Sequence, residues 1–157
     1  MKKINFHHNG IKKFGLDYQG IKLVIETIFS SESKSYSHID IILTTDDELL
    51  KMNRHFLQHD SYTDILTFRM NEKSELINGE IYISIDRVKE NADTFNVEPE
   101  KELLRVIIHG NLHLCGYSDH TSKLKSLMRD KEDYYLLWYD KKIVSRETIK
   151  NNNSDVS

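Results

Sequence analysis

Three of the eight histidines of this 157-residue chain fall within twelve positions, in the run His109-Gly110-Asn111-Leu112-His113-Leu114-Cys115-Gly116-Tyr117-Ser118-Asp119-His120. Residues i and i+4 of a helix project from one face, so the imidazoles of His109 and His113 can reach a common cation. The spacing alone is weak, because His55 and His59 repeat it with nothing metal-like after them. What sharpens the first pair is Gly116, which can take the positive φ that ends a helix and reverses the chain, so that a residue three or four positions further on swings back over the two rings as a third ligand. Three protein ligands leave a fourth position for water, the arrangement of a catalytic rather than a structural zinc site. The chemistry this predicts is hydrolysis: zinc lowers the pKa of bound water toward neutrality and polarises a carbonyl or phosphoryl oxygen. Peptide hydrolysis by the usual zinc route is not expected. The H-E-x-x-H helix puts a general-base glutamate directly after the first histidine, and here that position is Gly110.

A helix must carry the histidine pair, and the surrounding pattern supplies one. Pro99 suits a helix start, Leu103, Leu104, Ile107, Ile108 and Leu112 space as a buried stripe, and Gly116 is the stop. Other helices are expected over about 17–31, after the capping box Thr45-Asp46-Asp47-Glu48, over Ile85–Phe95, and from about Thr121 to Tyr139 with Leu124, Leu127, Met128, Tyr135 and Trp138 inward. Strands are expected at Ser37–Thr44, Thr63–Phe68 and Gly79–Ser84, the last two as hairpin neighbours. The fold class is therefore α/β: a small mixed β-sheet of about four strands wrapped by about five helices, carrying a zincin-like metal helix. One domain over residues 1–150 is expected, with 151–157 a disordered polar tail.

Composition bounds the partners. A chain that is 38% hydrophobic and 10% aromatic is not disordered, and its longest apolar runs, such as Val106-Ile107-Ile108, are too short to cross a bilayer, so no membrane partner is expected. One cysteine and the absence of an apolar leader at the start predict a cytoplasmic protein. The net charge of −3 is uneven: residues 1–24 carry +4, 25–120 carry −9 and 121–150 carry +3, basic ends flanking an acidic middle.

His109-Gly110, Leu112-His113-Leu114 and Gly116-Tyr117 match residue for residue a signature of the form H-G-x-L-H-L-x-G-Y-D-H, and the chain thereby resembles the YbeY endoribonucleases. Leu50 to Asn53, Asp60 and Thr63-Asp64-Ile65-Leu66-Thr67-Phe68 are similar to the family's segment ending in T-D-V-L-S-F, and Gly79-Glu80-Ile81-Tyr82-Ile83-Ser84 is similar to its G-D-I-x-I strand. The resemblance runs from about residue 20 to 139. It implies a zinc-dependent hydrolase, with one Zn2+ per chain, that cuts single-stranded RNA rather than DNA. It further implies a role in late ribosome assembly on the small ribosomal subunit and in maturing the 3′ end of 16S ribosomal RNA.

Two departures from the family pattern matter. The family's third histidine lies six residues after the second, and here that place holds Asp119, with Ser118 at the family's Asp position and His120 one step beyond. An ungapped count favours His109, His113 and Asp119 as the metal set, since a carboxylate is an acceptable zinc ligand, while a one-residue bulge would deliver His120 instead. The family also commonly carries an arginine three residues before the position of Asp60, and here it is Leu57, which removes an expected phosphate contact. Arg54, His59, Arg69 and Arg105 are candidate substitutes. That loss keeps a second reading open, a non-catalytic RNA- and ribosome-binding assembly factor with a structural metal; a third is a metal hydrolase of some small substrate.

Other residues have a functional and a structural reading each. Asp60 and Asp64 can orient ligands or act as bases, or serve turn and strand-start roles, and the latter is preferred. Glu80 faces either the cleft or solvent. Cys115 is two helical steps from His113, about 160° away around the helix once its step count is taken, and is expected to be a buried core residue. Tyr134, Tyr135, Trp138 and Tyr139 can stack bases, although helical core packing is the commoner use of such a cluster.

Overall fold

A computed structural model describes residues 2–12, 15–57, 63–71 and 76–154. Nine elements follow in order: β1 (Lys3–His8), α1 (Tyr18–Ser31), β2 (Ser35–Thr44), α2 (Asp46–Leu57), β3 (Ile65–Arg69), β4 (Leu76–Ser84), α3 (Ile85–Phe95), α4 (Pro99–Leu114) and α5 (Ser122–Ser154). The strands form one sheet in the order β1-β2-β4-β3, with β1 and β2 parallel, β2 and β4 parallel, and β3 antiparallel to β4. This is the expected mixed sheet with five helices, and β3 and β4 are the expected antiparallel neighbours.

Sheet and helices meet in one core. Ile39, Ile41 and Leu43 of β2 and Ile77, Ile81 and Ile83 of β4 are buried at alternate positions, as the period-2 strand geometry demands. They belong to the same buried cluster as Val24, Ile25 and Ile28 of α1 and Leu103, Ile107 and Leu112 of α4. Helix α4 reaches the sheet closely because position 110 has no side chain: a Cβ there would lie 2.8 Å from Ile65 Cδ1 and 3.0 Å from Ile81 Cγ2. The residue that excluded the zinc-protease base is thus the point where the helix carrying the histidine pair touches the sheet.

Caps set the helix starts. Asp17 accepts from the Gly20 amide at 3.1 Å, Thr45 Oγ1 from Glu48 at 3.3 Å, Ser84 Oγ from Arg87 at 3.1 Å and Thr121 Oγ1 from Leu124 at 3.1 Å, while Pro99 opens α4.

Several expectations need correction. Strand β1 had no place among the expected elements; its Lys, Asn and His residues hide a two-residue alternation in which only Ile4 is fully buried. Strand β4 begins at Leu76, not Gly79, because the Asn71 side chain ties the returning chain, donating to the Leu76 carbonyl at 2.7 Å and accepting from the Asn78 amide at 2.8 Å. Helix α5 continues well past Tyr139, to Ser154, and 155–157 lie outside the described residues. The extension has no apolar period, yet neither Gly nor Pro interrupts it, and Arg146 pairs at 3.0 Å with Asp17 at the start of α1. Leu127 is 43% exposed rather than inward, and Leu136 takes the buried place instead.

Candidate metal centre

Helix α4 ends as its glycine requires. Gly116 has φ +105°, its amide reaches the His113 carbonyl at 3.0 Å and the Tyr117 amide reaches Leu112 at 3.0 Å, so the chain reverses directly beneath the second histidine. The turn delivers Asp119: its Oδ2 lies 3.5 Å from His109 Nε2 and 3.7 Å from His113 Nε2, and the two Nε2 atoms are 2.9 Å apart. One ligand atom from each of the three residues lies within 4.8 Å of the others, a group that can hold a metal ion. His120 is exposed and not in this group; its amide is 3.4 Å from Ser118 Oγ.

The rings are held from behind. His109 Nδ1 donates to Glu132 Oε2 on α5 at 2.8 Å, and His113 Nδ1 donates to the Tyr117 carbonyl at 2.9 Å. A carboxylate or carbonyl only accepts, so each Nδ1 carries its hydrogen and each Nε2 lone pair is aimed at the common point. Burial opposes the charge on both rings, but Glu132 and Asp119 raise the pKa of His109, whereas burial and the neighbouring His109 lower that of His113.

A zinc-type fit can be tested on these donors. Tetrahedral bonds of about 2.0–2.2 Å place donors about 3.3–3.6 Å apart. The separations of 2.9, 3.5 and 3.7 Å straddle that range, and two imidazoles with one carboxylate are a borderline-hard set suited to zinc. The residues fit the group.

The supports extend outward. Glu132 is buried, and its other oxygen accepts from Arg105 at 3.0 Å; Arg105 also donates to Asp133 at 2.7 Å. Tyr117, which supplies the carbonyl for His113, donates its hydroxyl to Glu32 at 2.6 Å, and the same carboxylate receives Tyr135 at 2.8 Å and Lys131 at 3.1 Å. Burial pushes Glu32 upward, but these three donors outweigh it and hold the carboxyl below its ordinary value.

A cleft of about 420 Å³ opens beside His109 and Asp119, lined further by Asp64, Glu102, Arg105 and Arg129 among others. Asp64 lies in its wall, its carboxyl raised by burial against the attraction of His109. Of the arginine substitutes, Arg105 lines the cleft but is committed to Glu132 and Asp133, Arg69 lines two other grooves, Arg54 is exposed on α2, and His59 lies outside the described residues, as does Asp60. Leu57, exposed, ends α2. Glu80 is not among the residues of the cleft; it accepts from Tyr82 at 2.5 Å beside Phe56 and Phe68. Cys115 is buried in the core, its thiol pushed by burial to about 12. Tyr135 is buried and Tyr139 donates to Asp17, whereas Tyr134 is exposed.

Glu132 and Glu32 escaped the sequence reading. The one signal for Glu132 was available: it interrupts the inward stripe Met128, Tyr135, Leu136 at helical spacing, where an acid needs a partner. Glu32, at the end of α1, carried none.

Comparison with known proteins agrees with the geometry. The family model described as Endoribonuclease YbeY matches residues 6–140. The chain is 49% identical over 113 residues to the Endoribonuclease YbeY of Cytophaga hutchinsonii, covering 72% of this chain and 79% of that protein. It is 38% identical over 149 residues to that of Porphyromonas gingivalis, covering 95% and 94%. Among solved structures, the solution structure of TM1509 from Thermotoga maritima superimposes with a TM-score of 0.64 at 34% identity, covering 90% of this chain and 93% of that one. No helix among the described residues is long and apolar enough to cross a membrane.

Proposed function

Since the chain belongs to the YbeY endoribonucleases, RNA-cleaving hydrolases, we propose that it is a zinc-dependent enzyme cutting single-stranded RNA, with His109, His113 and Asp119 as the metal ligands. The carrying observation is that the two Nε2 atoms and the Asp119 carboxylate converge at one point beside a cleft while both Nδ1 atoms are tied away from it. The chemistry a bound zinc supplies there is activation of water for attack on a phosphodiester. The chain's own residues do the rest: Glu132 and the Tyr117 carbonyl hold the two imidazoles in the tautomer that leaves Nε2 free, and the Gly116 turn sets the carboxylate against them. Position 110 packs on the sheet and contributes no base. The physiological substrate in this reading is ribosomal RNA on the small subunit, with 16S 3′-end maturation as the cut. The catalytic unit is one domain over residues 1–150 acting in the cytoplasm.

Elemental analysis of tag-free protein tests the site. About one zinc per chain is expected, lost in His113→Ala and Asp119→Ala and kept in His120→Ala, with cleavage of single-stranded RNA lost alongside. Leu57 and the committed Arg105 favour the rival, a binding factor with a structural metal. Metal-loaded protein that associates with the small subunit but turns over no RNA would establish that rival.

A further inference from the structure

The cleft beside the metal centre carries two cations that no side-chain hydrogen bond or ion pair among the described residues holds. Lys125 and Arg129 of α5 both line it, and both are exposed. Among the described residues neither makes a side-chain hydrogen bond or ion pair, whereas Arg105 of α4, which also lines the cleft, is clamped by Glu132 and Asp133. At i and i+4 they stand on one helix face, about 6 Å apart along the axis. Phe95, the last residue of α3, is 60% exposed and also lines the cleft. A hydrophobic ring left in water at the mouth of a site suits stacking of an unpaired base.

We infer that Lys125 and Arg129 form the phosphate subsite that seats a single-stranded RNA beside the metal centre, with Phe95 as the stacking surface for a base. The inference rests on the proposed RNA cleavage and names the groups that receive the strand. Charge sets the direction of approach. Asp64 and Glu102 also line the cleft, so the phosphates are directed away from those acids and along α5, whose Arg129 is, with Arg105 of α4, a cation acting on Glu102. The pair also answers the arginine that Leu57 lacks, since it offers cationic contacts from a different element. Cations from α5 and an open ring from α3 in one cleft select a flexible single strand, whose bases are free to leave the stack, over a duplex.

Stopped-flow anisotropy of a labelled single-stranded oligoribonucleotide, read before turnover on the full metal-loaded chain, tests this. The double variant Lys125→Ala/Arg129→Ala is expected to raise Kd about tenfold or more and to flatten the slope of log K against log salt by about 1.4, at about 0.7 for each lost contact. Phe95→Ala should raise Kd and leave that slope unchanged. The charge-matched control Lys22→Ala/Lys141→Ala, at exposed positions that do not line the cleft, should stay within about twofold of the parent. Lys125→Gln/Arg129→Gln, read with its melting curve and zinc content, guards against loss through unfolding. Parent-like affinity and slope in both double variants, while the parent cuts RNA, would overturn the subsite alone. A parent that neither binds nor cuts RNA would overturn the proposed function and this inference with it.

Discussion

His109 Nδ1 on α4 and Glu132 Oε2 on α5 lie 2.8 Å apart although 23 positions separate them in the chain, and the same carboxylate holds Arg105. One buried acid therefore fixes the tautomer of a histidine of the candidate metal group and joins α4 to α5. Its neighbour His113 takes a backbone carbonyl for the same purpose, so only one of the two rings depends on a distant side chain.

Removing that acid should loosen the site before it unfolds the protein. Glu132→Ala is expected to weaken zinc binding by about 10–100-fold, the usual effect of losing an outer partner of a ligating histidine. Glu132→Gln should lose less, because an amide oxygen can still accept from Nδ1. Competition against a chromogenic chelator measures both, and parent affinity in the Ala variant would show that Glu132 does not orient the ring.

Gly110→Glu would write the zinc-protease signature into this helix, and it should cost the fold. The new Cβ meets Ile65 and Ile81 at 2.8–3.2 Å, which directs the side chain into the apolar contact between α4 and the sheet. Overpacking of about 1–3 kcal/mol and an unpaired buried charge costing several more predict a protein largely unfolded at 37 °C by circular dichroism. A stable, well-folded Gly110→Glu protein would mean that α4 can lift from the sheet.

Glu32 predicts a pH dependence. Its folded pKa lies below the ordinary value of 4.5, so its stabilisation is fully present above pH 4.5 and is lost as the pH falls through the lower folded value. Glu32→Gln should cost about 2 kcal/mol near pH 7, from weakened hydrogen bonds to Tyr117, Tyr135 and Lys131. Urea unfolding of both proteins from pH 7 to pH 3 should show the gap closing in acid; a gap that widens there would contradict the assigned charge.

Cys115 should be inert while the protein is folded. Burial holds its thiol near 12, leaving almost no thiolate at pH 8. Ellman's reagent is expected to react only at the rate of unfolding, with full reaction in guanidinium. Rapid labelling of the native protein would show that this part of the core opens.

The sequence by itself determined what local geometry determines. Helical spacing put His109 and His113 on one face, Gly116 ended the helix, and the residue count after the turn favoured Asp119 while leaving His120 open, because a helix and a glycine turn convert sequence distance into spatial distance almost without reference to the rest of the chain; the structure brings the Asp119 carboxylate, and not His120, beside the two rings. The three strands that were expected and all five helices were legible for the same reason, each having its own period or cap. Only the tertiary structure decided what crosses between elements. Glu132 reaches His109 because α5 packs on α4, Glu32 reaches Tyr117 because the end of α1 meets the turn, and Lys125 and Arg129 face the cleft through the rotation of α5. Strand β1 forms because β2 offers it a parallel edge, and its own six residues show little of the alternation that would announce it. Such contacts depend on how surfaces pack at long range, and packing leaves no period in the sequence from which they could be read.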